Sequence, residues 1–137
     1  MNRIQDQVRE FHRAFEIKEE ETPTKPDLQT AALRVELIDE EFKELKEAIA
    51  KDDLVGIADA LGDLLYVTFG AAISFGIDME PVVDEIHRSN MSKVGGYKRD
   101  DGKWIKPDTY SPAQLVGILL EQRATIEALA PPKIWDN

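Results

Sequence analysis

The stretch from Leu54 to Ile73, LVGIADALGDLLYVTFGAAI, is apolar on every side of a helical wheel except at two aspartates, Asp59 and Asp63. Four residues apart, they fall one turn apart on a single stripe of the helix. A helix that is apolar all round belongs in an interior. Carboxylates placed there are costly unless something positive meets them. The segment therefore sets two demands: neighbours that cover a long apolar helix, and a cation for its acidic stripe.

The preceding helix carries a matching set. On a wheel of the predicted helix from Asp27 to Ala50, Leu33, Leu37, Leu45, Ala48 and Ile49 mark a broad apolar arc. Glu41 falls inside it near Leu37 and Ala48, Glu44 lies between Leu33 and Leu37, and Glu40 sits at the rim. Acidic runs on helices are usually solvated faces, but Glu41 and Glu44 point toward the apolar side. Lys51-Asp52-Asp53 is a short turn, so the two acidic helices are expected to run antiparallel with their carboxylates opposed. Carboxylates so close repel one another strongly. A hard divalent cation with oxygen ligands relieves this, and Mg²⁺ fits best, with Mn²⁺ as the alternative. The chain has no cysteine, which removes thiolate ligands and disulfides. His12 and His87 are not spaced for a Glu-x-x-His di-iron pattern. An all-oxygen Mg²⁺ site keeps waters and binds phosphates, which points to phosphoryl chemistry.

The rest of the chain reads as an all-α antiparallel bundle with a four-helix core in a single domain, residues 1–137. A first helix is predicted over 2–20, with Ile4, Val8, Phe11 and Phe15 on its inner side. A Pro-rich connector follows at 21–27. The helix carrying the aspartates is capped by Asp52 or Asp53 and stops at Gly76. Another covers about 78–92. Ser111-Pro-Ala-Gln114 is a capping box for a last helix reaching Leu129, ended by Pro131-Pro132. Asp101-Gly102 can close a small hairpin. The net charge of −10 argues against a nucleic-acid polymer as partner. No uncharged apolar run reaches membrane-spanning length, and the N-terminus has no apolar leader, so no membrane association and a cytoplasmic setting are expected. So many apolar helices in a small chain predict a homodimer or homotetramer.

Cations for a phosphate are found further on. Asn90 shares a predicted inner face with Val83 and Ile86, and Lys93 follows at the helix end. The segment from Lys93 to Pro107 adds Lys98, Arg99, Lys103 and Lys106, with Tyr97 and Trp104 between them. In an acidic chain this local positive charge stands out.

The motifs Glu40-Glu-x-x-Glu44 and Asp59-Ala-Leu-Gly-Asp63, with Glu10-Phe-His-Arg13, Glu85-Ile-His-Arg-Ser-Asn-Met-Ser-Lys93 and Asp101-Gly-Lys-x-x-Lys-Pro107, resemble the MazG-like all-α nucleoside triphosphate pyrophosphatases. That superfamily includes dimeric dUTPases and phosphoribosyl-ATP pyrophosphohydrolase. The resemblance runs from about residue 8 to 120. It implies hydrolysis of a nucleoside or deoxynucleoside triphosphate, dUTP among them, to the monophosphate and pyrophosphate. It places Mg²⁺ on Glu41, Glu44 and Asp63, with Asp59 as a further ligand. Glu40 would orient or deprotonate the attacking water, so Glu40 and Glu41 form the catalytic pair. Asn90, Lys93, Lys98, Arg99, Lys103 and Trp104 would bind substrate. One position departs from the pattern: the superfamily has Glu three residues before its Asp, where this chain has Ala60. Asp59, on the same face as Asp63, is the residue that would replace it, and whether it does stays open. Two other readings stay open: phosphoribosyl-ATP as the substrate, or a non-catalytic, metal-stabilised nucleotide-binding helical oligomer. Without a metal, the carboxylates would have to pair with Arg34 and lysines.

Overall fold

A computed structural model describes residues 2–129. The fold is all-α, as expected. In chain order it has α1 (Arg3–Ala14), α2 (Leu28–Ala50), α3 (Leu54–Ser74), α4 (Met79–Met91), strands β1 (Tyr97–Lys98) and β2 (Trp104–Ile105), and α5 (Val116–Leu129). The chain forms two compact units, one ending at Met79 and the other beginning at Glu80.

The first unit is built on the α2–α3 pair. Asp27 caps α2 by accepting from Thr30 N at 2.8 Å, and Asp53 caps α3 by accepting from Gly56 N at 3.0 Å. Each satisfies a backbone donor that the first helical turn leaves open. α3 ends at Gly76, whose φ of +73° suits glycine. A Cβ there would also sit 2.0 Å from Thr22 O. α1 packs on the C-terminal part of α3, where Val8, Phe69 and Ile73 form a small core joined by Met79.

The first helix is shorter than predicted. It stops at Ala14, with Phe15 as its C-cap and Glu16 at a φ of +55°. Its inner face is also rotated. Gln5, Val8 and His12 are buried, whereas Ile4, Phe11 and Phe15 are 40% exposed or more. The polar Gln5 takes the inner position because it closes the α3–α4 connection. Its Nε2 donates to Ile77 O at 2.7 Å, and its Oε1 accepts from Met79 N at 2.9 Å. Gln5→Leu leaves both backbone groups without a partner, at an expected cost of about 2–4 kcal/mol. Urea unfolding would show this as a lower midpoint at unchanged slope.

α3 is not covered throughout. Ala60 and the run Phe69–Ser74 are buried, but Leu54, Val55, Leu61 and Leu65 are about half exposed or more. α1 reaches only the C-terminal part of α3, so the expectation of an interior helix holds for that part alone. α3 has the length and apolarity of a membrane span. Asp59 and Asp63 interrupt it, however, and its last turns are buried within its own chain.

In the second unit, α4 buries Val82 and Ser89. The predicted inner face of Val83, Ile86 and Asn90 is exposed instead. The hairpin forms where expected, pairing Tyr97 with Ile105 and Lys98 with Trp104, and Gly102 turns it at a φ of +90°. α5 starts at Val116, four residues later than the capping box implied. Ser111 is used otherwise: its N donates to Ser92 Oγ at 2.8 Å, tying the segment to the end of α4. The Pro131-Pro132 stop lies outside the described residues.

Candidate metal centre

α2 and α3 run antiparallel in a constant register. A Cβ on Gly56 would lie 3.2 Å from Ala48 Cβ, and one on Gly70 would lie 3.0 Å from Arg34 Nη1. Midway between these contacts, Glu41 and Glu44 meet Asp63. Seven residues back along α2 thus match seven residues forward along α3. This is the two-turn repeat that keeps one face of each helix on the seam.

One carboxylate oxygen from each of Glu41, Glu44 and Asp63 lies within 4.8 Å of the others. Glu41 and Asp63 are half-buried and Glu44 is exposed, so the cluster opens to water on the Glu44 side. Glu41 Oε2 is shut from solvent with no hydrogen-bond partner. Desolvation pushes the Glu41 carboxyl up to about 7, helped by its hydrogen bond with Glu44 and by the charges of Asp63, Glu44 and Asp59. Asp63 is raised as well, by desolvation first and then by Asp59 and Glu44. A Glu41 carboxyl pushed toward neutral pH, an Asp63 carboxyl raised beside it and one orphaned oxygen fit a hard cation as the missing partner.

The other expected residues divide by location. Asp59 is exposed and outside the tight triad, yet close enough for its charge to act on both Glu41 and Asp63. Glu40 is exposed on the turn that holds Glu41. Asn90, Lys93, Lys98, Arg99, Lys103 and Trp104 all belong to the second unit. There Asn90 is exposed and its Oδ1 accepts from Lys93 Nζ at 2.8 Å. Its amide is therefore a surface partner of Lys93, not the buried group the wheel suggested. Arg99 pairs with Asp101 inside the hairpin, and Trp104 Nε1 donates to Lys93 O at 2.8 Å.

Sequence reasoning gave no site role to the other end of the seam. There His12 is 2% exposed and Arg34 6% exposed, both over Gly70. The available signal was Gly70, which continues the stripe of Asp59, Asp63 and Tyr66.

An antiparallel helix pair that closes three carboxylates into one oxygen-only cluster defines a class: all-α proteins with an acidic cluster that could hold a metal ion. Comparison with known families narrows it. The sequence model for phosphoribosyl-ATP pyrophosphohydrolase matches residues 8–90, and the chain belongs to that family, within the MazG-like all-α pyrophosphohydrolases. A relative, an uncharacterized protein of Acanthamoeba polyphaga mimivirus, is 46% identical over 52 residues, 38% of this chain. That match covers 21% of the relative, so the chain spans about a fifth of its length.

Proposed function

We propose that this protein is a Mg²⁺-dependent nucleotide pyrophosphohydrolase that converts a nucleoside or deoxynucleoside triphosphate and water into the monophosphate and pyrophosphate. The observation that carries this reading is the Glu41–Glu44–Asp63 cluster, with the raised pKa of Glu41 and Asp63 and its orphaned oxygen, in a chain of this family. Glu41, Glu44 and Asp63 would hold the ion, with Asp59 adding charge at the rim. When bound, Mg²⁺ neutralises phosphate charge and acidifies water. Glu40, solvent-exposed on the turn that holds Glu41, would orient the attacking water and take its proton. The water oxygen joins one phosphorus of the anhydride as the bond to the bridging oxygen breaks, and pyrophosphate leaves.

Asn90, Lys93, Lys98, Arg99, Lys103 and Trp104 belong to the same proposal as substrate contacts, since cations and an indole suit a triphosphate and a base. Domain 1–137 acts as one enzyme in this reading. The exposed apolar residues of α3 support a homodimer or homotetramer, and a cytoplasmic setting matches a nucleotide substrate.

The test is a panel of ordinary and modified nucleotides, dUTP and phosphoribosyl-ATP included, incubated with Mg²⁺ and analysed for both products. Pyrophosphate appearing in step with a monophosphate supports the proposal. Turnover of phosphoribosyl-ATP alone would favour the narrower reading suggested by the matched family. Absence of turnover across the panel, with metal-dependent melting retained, would favour the non-catalytic binding reading.

A further inference from the structure

Two turns from the carboxylate cluster, the same seam ends in a buried guanidinium that no carboxylate among the described residues neutralises. Arg34 is 6% exposed, forms no ion pair among the described residues, and its Nε has no hydrogen-bond partner. A buried cation left unpaired costs several kcal/mol. Beside it is His12, 2% exposed, whose Nδ1 is likewise orphaned. Gly70 brings them together. A Cβ at that position would lie 3.0 Å from Arg34 Nη1 and 3.1 Å from His12 Nε2, so the missing side chain leaves room for both tips across the seam.

The spacing is informative. Arg34 and Glu41 are seven residues apart on α2, about 10 Å at 1.5 Å per residue. Asp63 and Gly70 repeat that spacing on α3. Between the two ends lie Leu37, half-buried, and Tyr66, 38% exposed, with Phe11 edge-on to the Tyr66 ring at 5.7 Å. One face of the helix pair thus presents an anionic end, an apolar and aromatic middle, and an end with unsatisfied polar groups. A nucleotide whose phosphates reach the carboxylate cluster through a cation spans such a distance with its sugar and base.

The polar end also has a definite hydrogen-bond sense. Arg34 offers only donors. Burial and the Arg34 charge lower the His12 pKa, so the imidazole is neutral near pH 7 and has one nitrogen free to accept. A donor beside an acceptor complements a carbonyl next to a ring N–H. Uracil, thymine, guanine and hypoxanthine present that lactam edge. Cytosine and adenine present the reverse, an amino group next to a ring acceptor.

We infer that Arg34 and His12, held over Gly70, form the base-reading end of the substrate site and select nucleotides with a lactam edge. This rests on the pyrophosphohydrolase reading and names its substrate class.

The experiment compares kcat/KM for dUTP against dCTP and GTP against ATP, with Mg²⁺, in the full chain and in Arg34→Met and Gly70→Ala. Thermal melting is recorded for each. The wild-type chain should favour the lactam member of each pair at least tenfold. Arg34→Met should reduce that preference to less than threefold while its Tm stays level or rises, because an uncompensated buried charge has been removed. Gly70→Ala keeps Arg34 but crowds it. It should raise KM for dUTP and GTP more than for dCTP and ATP. Wild-type turnover without base preference overturns the inference and leaves the pyrophosphohydrolase reading standing. Equal loss on all four nucleotides together with a lower Tm in Arg34→Met assigns Arg34 to the fold and also overturns it. No turnover of any nucleotide by the wild-type chain defeats both readings.

Discussion

Glu41→Gln should lower kcat/KM for nucleotide hydrolysis by about a thousandfold while leaving the helices intact. Glu41 has one carboxylate oxygen shut away from water and no protein donor to meet it. The amide is nearly isosteric but cannot supply a negative ligand, and its NH₂ would point a donor where a cation belongs. Helical content measured by circular dichroism should not change, since the side chain caps nothing and packs against other acids. Asp63→Asn should produce a loss of similar size, because it removes the ligand that α3 contributes to the triad. Asp59→Asn should cost less, since Asp59 acts on the cluster by charge from outside it. Steady-state release of pyrophosphate from the three variants checks the order. Undiminished turnover in Glu41→Gln or Asp63→Asn would sink the carboxylate mechanism.

The second large effect is on stability. In the metal-free protein, Tm should rise as pH falls from about 8 toward 5, by a few degrees. The sign follows from the Glu41 carboxyl, which sits near 7 in the folded chain, above the ordinary carboxylate value it has when unfolded. Between those values the folded state holds the proton and the unfolded state has lost it. Raising the pH through this window therefore favours unfolding, and the dependence flattens above about 7. The raised pKa of Asp63 acts in the same direction, while the lowered pKa of the buried His12 opposes it at the acid end of the range. Saturating Mg²⁺ should reverse the trend, because the ion binds the deprotonated carboxylates of the folded state. The gain in Tm on adding Mg²⁺ should be large at pH 8 and fade toward pH 5, where protons occupy the same oxygens. Asp63→Asn should raise the metal-free Tm at pH 8 and abolish the response to Mg²⁺. Differential scanning fluorimetry at several pH values, with Mg²⁺ and with chelator, measures all of this. A Mg²⁺ response unchanged in Asp63→Asn would place the ion elsewhere.

Local chemistry made much of the molecule legible in advance. Asp27 and Asp53 mark the starts of α2 and α3, and Gly76 marks the stop, because caps and a left-handed glycine are decided within a few residues. The opposed carboxylates could be read because a 3.6-residue period puts Glu41 and Glu44 on one side of α2, and a short turn returns α3 beside it. Errors came where a partner element sets the answer. Periodicity chose Ile4, Phe11 and Phe15 for the inner face of α1, yet Gln5 and His12 are buried there. One meets backbone groups 72 and 74 residues away, and the other faces Gly70. Ser111 looked like a helix cap until Ser92, nineteen residues earlier, took its N–H. Asn90 was assigned inward by pattern and lies outward beside Lys93.

The division has a physical basis. Helix positions, their ends and the acidic stripes follow from backbone hydrogen bonding and side-chain period, which act over one or two turns. The all-α class, the antiparallel α2–α3 pair and the expectation of a hard cation all rest on such short-range rules. Which oxygens meet is a matter of register between helices. Glu41, Glu44 and Asp63 close within 4.8 Å while Asp59, a carboxylate on the same stripe, is left outside. That outcome depends on how two cylinders settle against each other, and a shift of one residue would exchange the ligands. The same register carries Arg34 onto Gly70 and leaves a guanidinium buried without a counter-charge among the described residues, a placement with no local signature because its cause lies on another helix.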